Sequence, residues 1–409
     1  MVLMSHMRRA LALQRANVLH RAADLVSHDN TRALRGLRLW RVATITNRRG
    51  IAPVAHMLDE VEKWVRGETT HESASAAVSE VLTSPETHSC FSINDALAMR
   101  RFLGSVGLFS ASEQLLMRAV QAVLSSTSEE LSARDVHRCA RAVIVAGDTE
   151  RASTVLQRLR CLPENSSSNC LIAYFELWLH GARAASEAVL IGPAPTTLTD
   201  SDVTTLMGSE IVMRILMPGS ITWDDPCDPV SGRTNTVYAN GQTTRWLAGL
   251  PPKERDSLLS RFDEVVVKHT DPWVSQAPNV RVAPRISDLY LCGNPNMAQL
   301  VAYDRLTARD RHLFVSGVSF FLGSTAYRED QRREFQDSGV VSDRTGSTGR
   351  VFERCRAIAS HDQTSNRALL RNLLNSGLVS GSREFTDALK LDDPSYCDQL
   401  DRSYGKLRI

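Results

Sequence analysis

What the chain lacks narrows its class before anything else does. Its eight cysteines (Cys90, Cys139, Cys161, Cys170, Cys227, Cys292, Cys355 and Cys397) contain no C-x-x-C pair, so neither a zinc ribbon nor a disulfide framework is suggested. No stretch approaches the roughly 18 apolar residues of a membrane span, and the start, Met1 to Arg9, never develops the apolar core of a signal peptide. The expectation is a soluble protein of a reducing cytoplasm. Lysine is scarce: 5 of the 48 basic residues, which leaves 43 arginines, a bias that fits codon composition better than any function.

What is present points to more than one domain. The 409 residues exceed what one hydrophobic core usually serves, and an apolar fraction of 43% is ordinary for a globular chain. Residues 1–50 form a basic segment, with ten arginines against Asp24 and Asp29, a local net of 10 − 2 = +8. Such a segment suits a solvated tail or peripheral contact with the inner, anionic face of a membrane. Its sole aromatic is Trp40, and no stacking module accompanies it, so no nucleic-acid partner is expected.

Residues 51–185 read as helical. In Val54 to Val65 the apolar residues recur at steps of three and four, which makes one stripe on a helix. Around Gly107 and around Gly147 the text repeats itself: a glycine ends one helix and a polar residue caps the next. The 40-residue spacing suits a degenerate array of helical hairpins of tetratricopeptide type, or an irregular bundle, and either serves as docking surface.

Residues 186–409 change character. β-rich runs occur at Ala188–Gly192, Glu210–Leu216, Thr234–Ala239, Glu264–His269, Val280–Ile286 and His312–Phe321, separated by helix-like segments at Thr199–Gly208, Pro251–Arg261 and Asn296–Arg309. The expected fold class is therefore α/β, a Rossmann-like, parallel-rich sheet preceded by an all-helical region.

In such sheets ligands bind beyond the carboxyl ends of the strands. The first candidate is the loop after Val189-Leu-Ile191, where Gly192, Pro193 and Ala194 could let backbone approach a ribose or phosphate. Two prolines exclude a G-x-G-x-x-G fingerprint there, and no Gly-Lys-Ser/Thr makes it a Walker loop. The second is Cys292-Gly293-Asn294-Pro-Asn296, an amide-rich turn opening a helix. The third is His361-Asp362, before the helix Ser365–Gly377, a candidate general base whose ring the adjacent Asp could orient. Asp224-Asp225 is a bare acidic pair, and Glu210 and Asp304 read as structural.

The order and spacing of these pieces resemble the sialyltransferase arrangement of glycosyltransferase family 29, in a divergent, bacterial-type form. Gly192 corresponds to the glycine of the large motif and Arg214 to its arginine. Asn294 to Asn296 correspond to the small-motif turn, Gly317 to the glycine ending a strand, and His361 to the late histidine. Pro193 and Leu216 stand where that family has asparagines, Asn-Pro-Asn replaces Ser-Thr-Gly, and Ser365 occupies the place of a glutamate.

The resemblance implies an inverting, metal-independent transfer of a sialic acid- or Kdo-like sugar from a CMP-activated donor to a hydroxyl of a glycan, lipid-linked or protein acceptor, as in the making of a bacterial surface glycan. It implies no cofactor and no metal. Gly192, Pro193, Ala194, Arg214, Gly293, Asn294, Asn296 and Gly317 would hold the nucleotide, His361 would act as base, and Arg214, Arg245 or Tyr327 would meet the acidic sugar. The alternative is a non-catalytic interaction protein, with helical repeats for docking and a degenerate nucleotide-binding α/β domain.

Overall fold

The computed structural model describes residues 17–23, 30–45, 51–84, 87, 92–125, 132–181, 187–194, 196–216, 232–309, 312–322, 355 and 358–405. Most of the basic segment, the acidic pair Asp224-Asp225, Pro195 and Tyr327 lie outside the described residues.

The amino-terminal part is helical: α1 (Asn30–Ile45), α2 (Ile51–Arg66), α3 (His71–Thr83), α4 (Ile93–Ser105), α5 (Phe109–Leu124), α6 (Ala133–Ala146), α7 (Thr149–Arg160) and α8 (Ser166–His180). From α4 onward each helix packs on the next. Local chemistry sets their ends. Gly147 closes α6 in a left-handed conformation at φ 66°, and the Asp148 side chain accepts from the Arg151 N–H to start α7.

Gly107, also left-handed at φ 80°, ends the α4 turn as expected, but no nearby polar residue caps α5. The Asp401 carboxylate, from the far end of the chain, accepts from the Phe109 and Ser110 N–H groups at 2.7 and 3.0 Å. A cap supplied over 292 residues leaves no local mark in the sequence.

Seven parallel strands follow: β1 (Glu187–Ile191), β2 (Ile211–Leu216), β3 (Thr236–Ala239), β4 (Glu264–Val267), β5 (Val280–Val282), β6 (His312–Ser316) and β7 (Val379–Gly381). Their order is β5-β4-β3-β2-β1-β6-β7. The helices between them are α9 (Asp200–Gly208), α10 (Gly241–Gly249), α11 (Pro252–Leu259), α12 (Met297–Arg309) and α13 (Gln363–Asn375), with α14 (Arg383–Lys390) and α15 (Asp393–Leu400) after β7. The molecule is thus α/β, a Rossmann-like parallel sheet with a helical region before it.

Six strands fall where the alternation placed them, most of them shorter than expected and β5 and β6 by the largest margin. β6 stops at Ser316 because Gly317 turns the chain at φ 67°, and β5 stops at Val282, two residues before Pro284, which has no N–H to donate.

Side chains of β1 alternate between two cores. Ala188 and Leu190 join a large cluster with α12, α13 and the helices from Phe109 to Trp178, while Val189 and Ile191 face Leu206, Val212 and Phe314. That large core runs continuously across residue 185, so the later helices cover one face of the sheet. Earlier helices keep a second core of their own, from Leu19 to Val145. Among the described residues no helix is long and apolar enough to cross a membrane.

Candidate functional site

The chain lays β1 down first, adds β2 to β5 outward on one side, then returns to place β6 on the other. The crevice at the carboxyl ends of β1 and β6 is therefore the topological switch point, where strand order reverses and loops diverge. A cavity of about 250 Å³ opens there. Its walls come from the loop after β1 (Pro193, Ala194), the end of β2 (Ile215), the residues following β3 and β4 (Asn240, Lys268), the first turn of α12 (Asn296 to Gln299), the loop after β6 (Gly317 to Phe321), and His361.

Five of the nine residues expected at the site line this cavity: Pro193, Ala194, Asn296, Gly317 and His361. The other four do not. Gly192 is held backbone to backbone against the β6 end, its N–H donating to the Ser316 carbonyl at 2.7 Å, and the Ala194 N–H donates to Gly317 at 2.8 Å. A Cβ on Gly192 would lie 2.3 Å from the Gly317 oxygen, so glycine is required for strand packing rather than for approach to a ligand.

Gly293 has the same kind of role: its φ is +78°, and a Cβ there would sit 2.4 Å from the Asp362 Cβ. Asn294 is exposed on the rim, its N–H donating to the Ser360 carbonyl at 3.0 Å. Arg214 lies next to Ile215 on β2, and because neighbouring strand residues point to opposite faces, it is directed away from the wall that Ile215 forms. It is buried at 2% exposure, with Nε donating to Thr234 Oγ1 at 2.8 Å. Arg245, offered as a partner for an acidic sugar, is exposed on α10 with its Nε on the Gly241 carbonyl, and it lies outside the cavity wall.

The turn carrying His361 is built elsewhere than expected. Asp362 does not orient the imidazole. It sits at φ 45°, fully buried, and its carboxylate accepts from Arg100 of α4, from the Cys292 thiol at 3.2 Å, and from the backbone and hydroxyl of Ser365, thereby capping α13. Asn366 then fastens this turn to the other one. Its side chain donates to the carbonyls of His361, Asp362 and Asn294 and accepts from the Asn296 N–H at 2.9 Å and the Tyr290 hydroxyl at 3.0 Å.

Burial, and next the nearby Lys268 ammonium, hold the His361 imidazole down at about 4, against weaker opposing hydrogen bonds to the backbone of Asn294 and Pro295. The ring is neutral at physiological pH, and its Nδ1 has no hydrogen-bond partner among the described residues.

Backbone strain collects around the same cavity. Among the described residues three non-glycines have left-handed φ: Phe320 at 50°, Phe321 at 67°, and Asp362 beside His361. Each such residue costs of order 1–3 kcal/mol and persists where its surroundings over-determine it. Here the Tyr396 hydroxyl donates to the Phe320 carbonyl and the Tyr404 hydroxyl to that of Phe321, both at 2.8 Å, while the Phe320 ring stacks on Phe385. Two of these positions line the cavity and the third adjoins its His361 wall, which makes the cavity the candidate site among the described residues.

Comparison with protein-family models, with curated proteins and with solved structures finds no match.

Sequence reasoning missed Lys268, Gln299, Asn240, Phe320, Phe321 and Asn366. One signal was within reach: Lys268 is one of five lysines and directly follows a strand that the sequence does reveal, at the end where ligands bind.

Glu113 of α5 is buried at 4% exposure against Thr364, in the turn after His361. Burial raises its carboxyl to about 7, Arg100 opposing. A carboxyl raised on folding stabilises below its unfolded value, near 4.5, and that contribution disappears as pH rises through about 7. Glu113→Gln is therefore expected to flatten the fall in unfolding free energy between pH 4.5 and 7, measured by denaturant titration across that range. A fall as steep as in the parent protein would show that Glu113 is already ionised.

Proposed function

We propose that the cavity binds a CMP-activated sugar of the sialic acid or Kdo class and that the protein transfers this sugar, with inversion, to a hydroxyl of a glycan or related acceptor. The observation that carries this reading is that a neutral imidazole, His361, and a lysine, Lys268, face one cavity at the switch point of a parallel sheet. Among the described residues Lys268 has no acidic partner, and burial lowers its proton affinity, so an anionic ligand would be its natural counter-charge.

In the proposed reaction the acceptor oxygen forms a bond to the anomeric carbon as the bond from that carbon to the phosphate oxygen breaks. The phosphate leaves with the electron pair, and a neutral ring nitrogen of His361 takes the acceptor proton. Lys268 and the positive end of α12 would stabilise the departing charge. The helical region would present the acceptor or a protein partner.

A nucleotide panel tests the reading. Ligand at 100 times its dissociation constant should add about 2.7 kcal/mol to stability. Cytidine nucleotides are expected to raise the thermal midpoint, and uridine, guanosine and adenosine nucleotides to do so less. No shift with any of the four would overturn the proposal in favour of a non-catalytic protein.

A further inference from the structure

The first turn of α12 contains a buried acceptor that no described residue satisfies. Gln299 lines the cavity, its side chain is 0% exposed, and its Nε2 donates to the Asn366 carbonyl at 3.0 Å. That bond fixes the amide plane and leaves Oε1 with no hydrogen-bond partner among the described residues. An unpaired buried acceptor costs about 1–3 kcal/mol, so its retention beside a cavity points to a donor that comes from outside.

Two further features lie within the same walls. Met297 and Ala298, whose N–H groups at the start of a helix have no acceptor within it, line the cavity together with Lys268. These are cationic or donating groups, suited to an anion. Gln299 Oε1 asks for the opposite.

We infer that the cavity reads two groups on one small ligand, a phosphate held by Lys268 and the α12 first turn, and a neutral N–H or O–H donor held by Gln299 Oε1. The inference rests on the sugar-nucleotide reading for its choice of probes, and it adds the residues that would select among them. The neutral donor is either the exocyclic amine of a base or a hydroxyl of a sugar. An amine at Gln299 would favour cytosine over uracil, because the uracil oxygen at that place is an acceptor and would face a second acceptor.

Calorimetric titration of the full chain with CMP, UMP, ribose 5-phosphate and inorganic phosphate tests this. Lys268→Met is expected to weaken all four by about 10- to 100-fold, the range of a charge-assisted hydrogen bond, with Lys268→Arg restoring much of the loss. Gln299→Met, close to the parent in size, is expected to cost about 3- to 10-fold. A loss confined to CMP identifies the amine; a loss shared by CMP, UMP and ribose 5-phosphate, with inorganic phosphate untouched, identifies the hydroxyl. Gln299→Leu, checked by circular dichroism for native folding, serves if the methionine variant does not fold.

Unchanged affinities in the folded Gln299 and Lys268→Met variants overturn the inference. The sugar-transfer reading fails separately. Nucleotide binding with the expected dependence on Lys268 and Gln299 but no transfer leaves this inference standing and removes the transferase, whereas transfer that ignores both residues does the reverse.

Discussion

Replacing Arg100 by Met is expected to lower the free energy of unfolding by about 3–5 kcal/mol, the cost of leaving a buried charge without its partner. Arg100 is 6% exposed and Asp362 fully buried, and the two pair across 262 positions of sequence. Arg100 also donates to the Cys292 sulfur at 3.2 Å, and its backbone carbonyl accepts from the Ser112 hydroxyl. Methionine fills similar volume without charge, so packing changes little while the Asp362 carboxylate loses its cation.

The double variant Arg100→Met with Asp362→Asn should recover part of the loss, since the remaining amide is neutral and can still accept from Ser365. Denaturant titration at pH 7 decides the matter. A change below about 1 kcal/mol for the single variant would mean that water reaches the pair, as it does for exposed ion pairs.

Replacing His361 by Ala is expected to reduce sugar transfer on the order of 100-fold or more, the usual contribution of a positioned base, while nucleotide binding and folding persist. The effect on pH dependence is as informative as the loss. With the imidazole held at about 4, the base is lost only as pH falls through that value, so the acid limb of the parent rate profile should lie near 4 and not near 6.5. Unaltered turnover in the variant would remove His361 from the reaction. A limb near 6.5 that disappears in the variant would keep it there while showing the ring to be more solvated than its surroundings imply.

Much of the fold was legible in the sequence, for physical reasons. Five strands announced themselves because parallel strands buried on both faces read as short apolar runs, Ala-Val-Leu-Ile in β1 and Val-Val-Val in β4, and the edge strand β5 through its β-branched Val280 and Val282. β7 escaped because Val379-Ser-Gly381 is three residues long and only one of them is apolar. Helix α10 escaped too, since Gly241-Gln-Thr-Thr-Arg-Trp-Leu-Ala-Gly249 begins with a glycine and carries adjacent threonines, and the Asn240 cap that starts it resembles a turn.

The site was legible in position more than in role. The loop after β1, the turn before α12 and His361 do converge, because all lie at carboxyl ends of strands or at helix starts on the same edge of the sheet. Assigning jobs inside those segments failed where spacing cannot register direction. Arg214 is one residue from Ile215 and points the other way. Gly192 and Gly317 are glycines for each other, each crowding the other's missing side chain. Asp362, adjacent to His361 in sequence, turns toward Arg100 because a left-handed residue swings its side chain out of the path of its neighbours.

The fastenings made by Tyr396, Asp401 and Tyr404 acquire a further meaning when the chain is viewed as something manufactured in one direction. Tyr396 and Tyr404 hold the strained pair Phe320–Phe321, and Asp401 caps a helix that begins at Phe109. All three therefore reach the ribosomal exit after everything they secure. During synthesis the early helices and most of the sheet leave the ribosome before their clasps do. Translation thus delivers these clasps after the residues they hold.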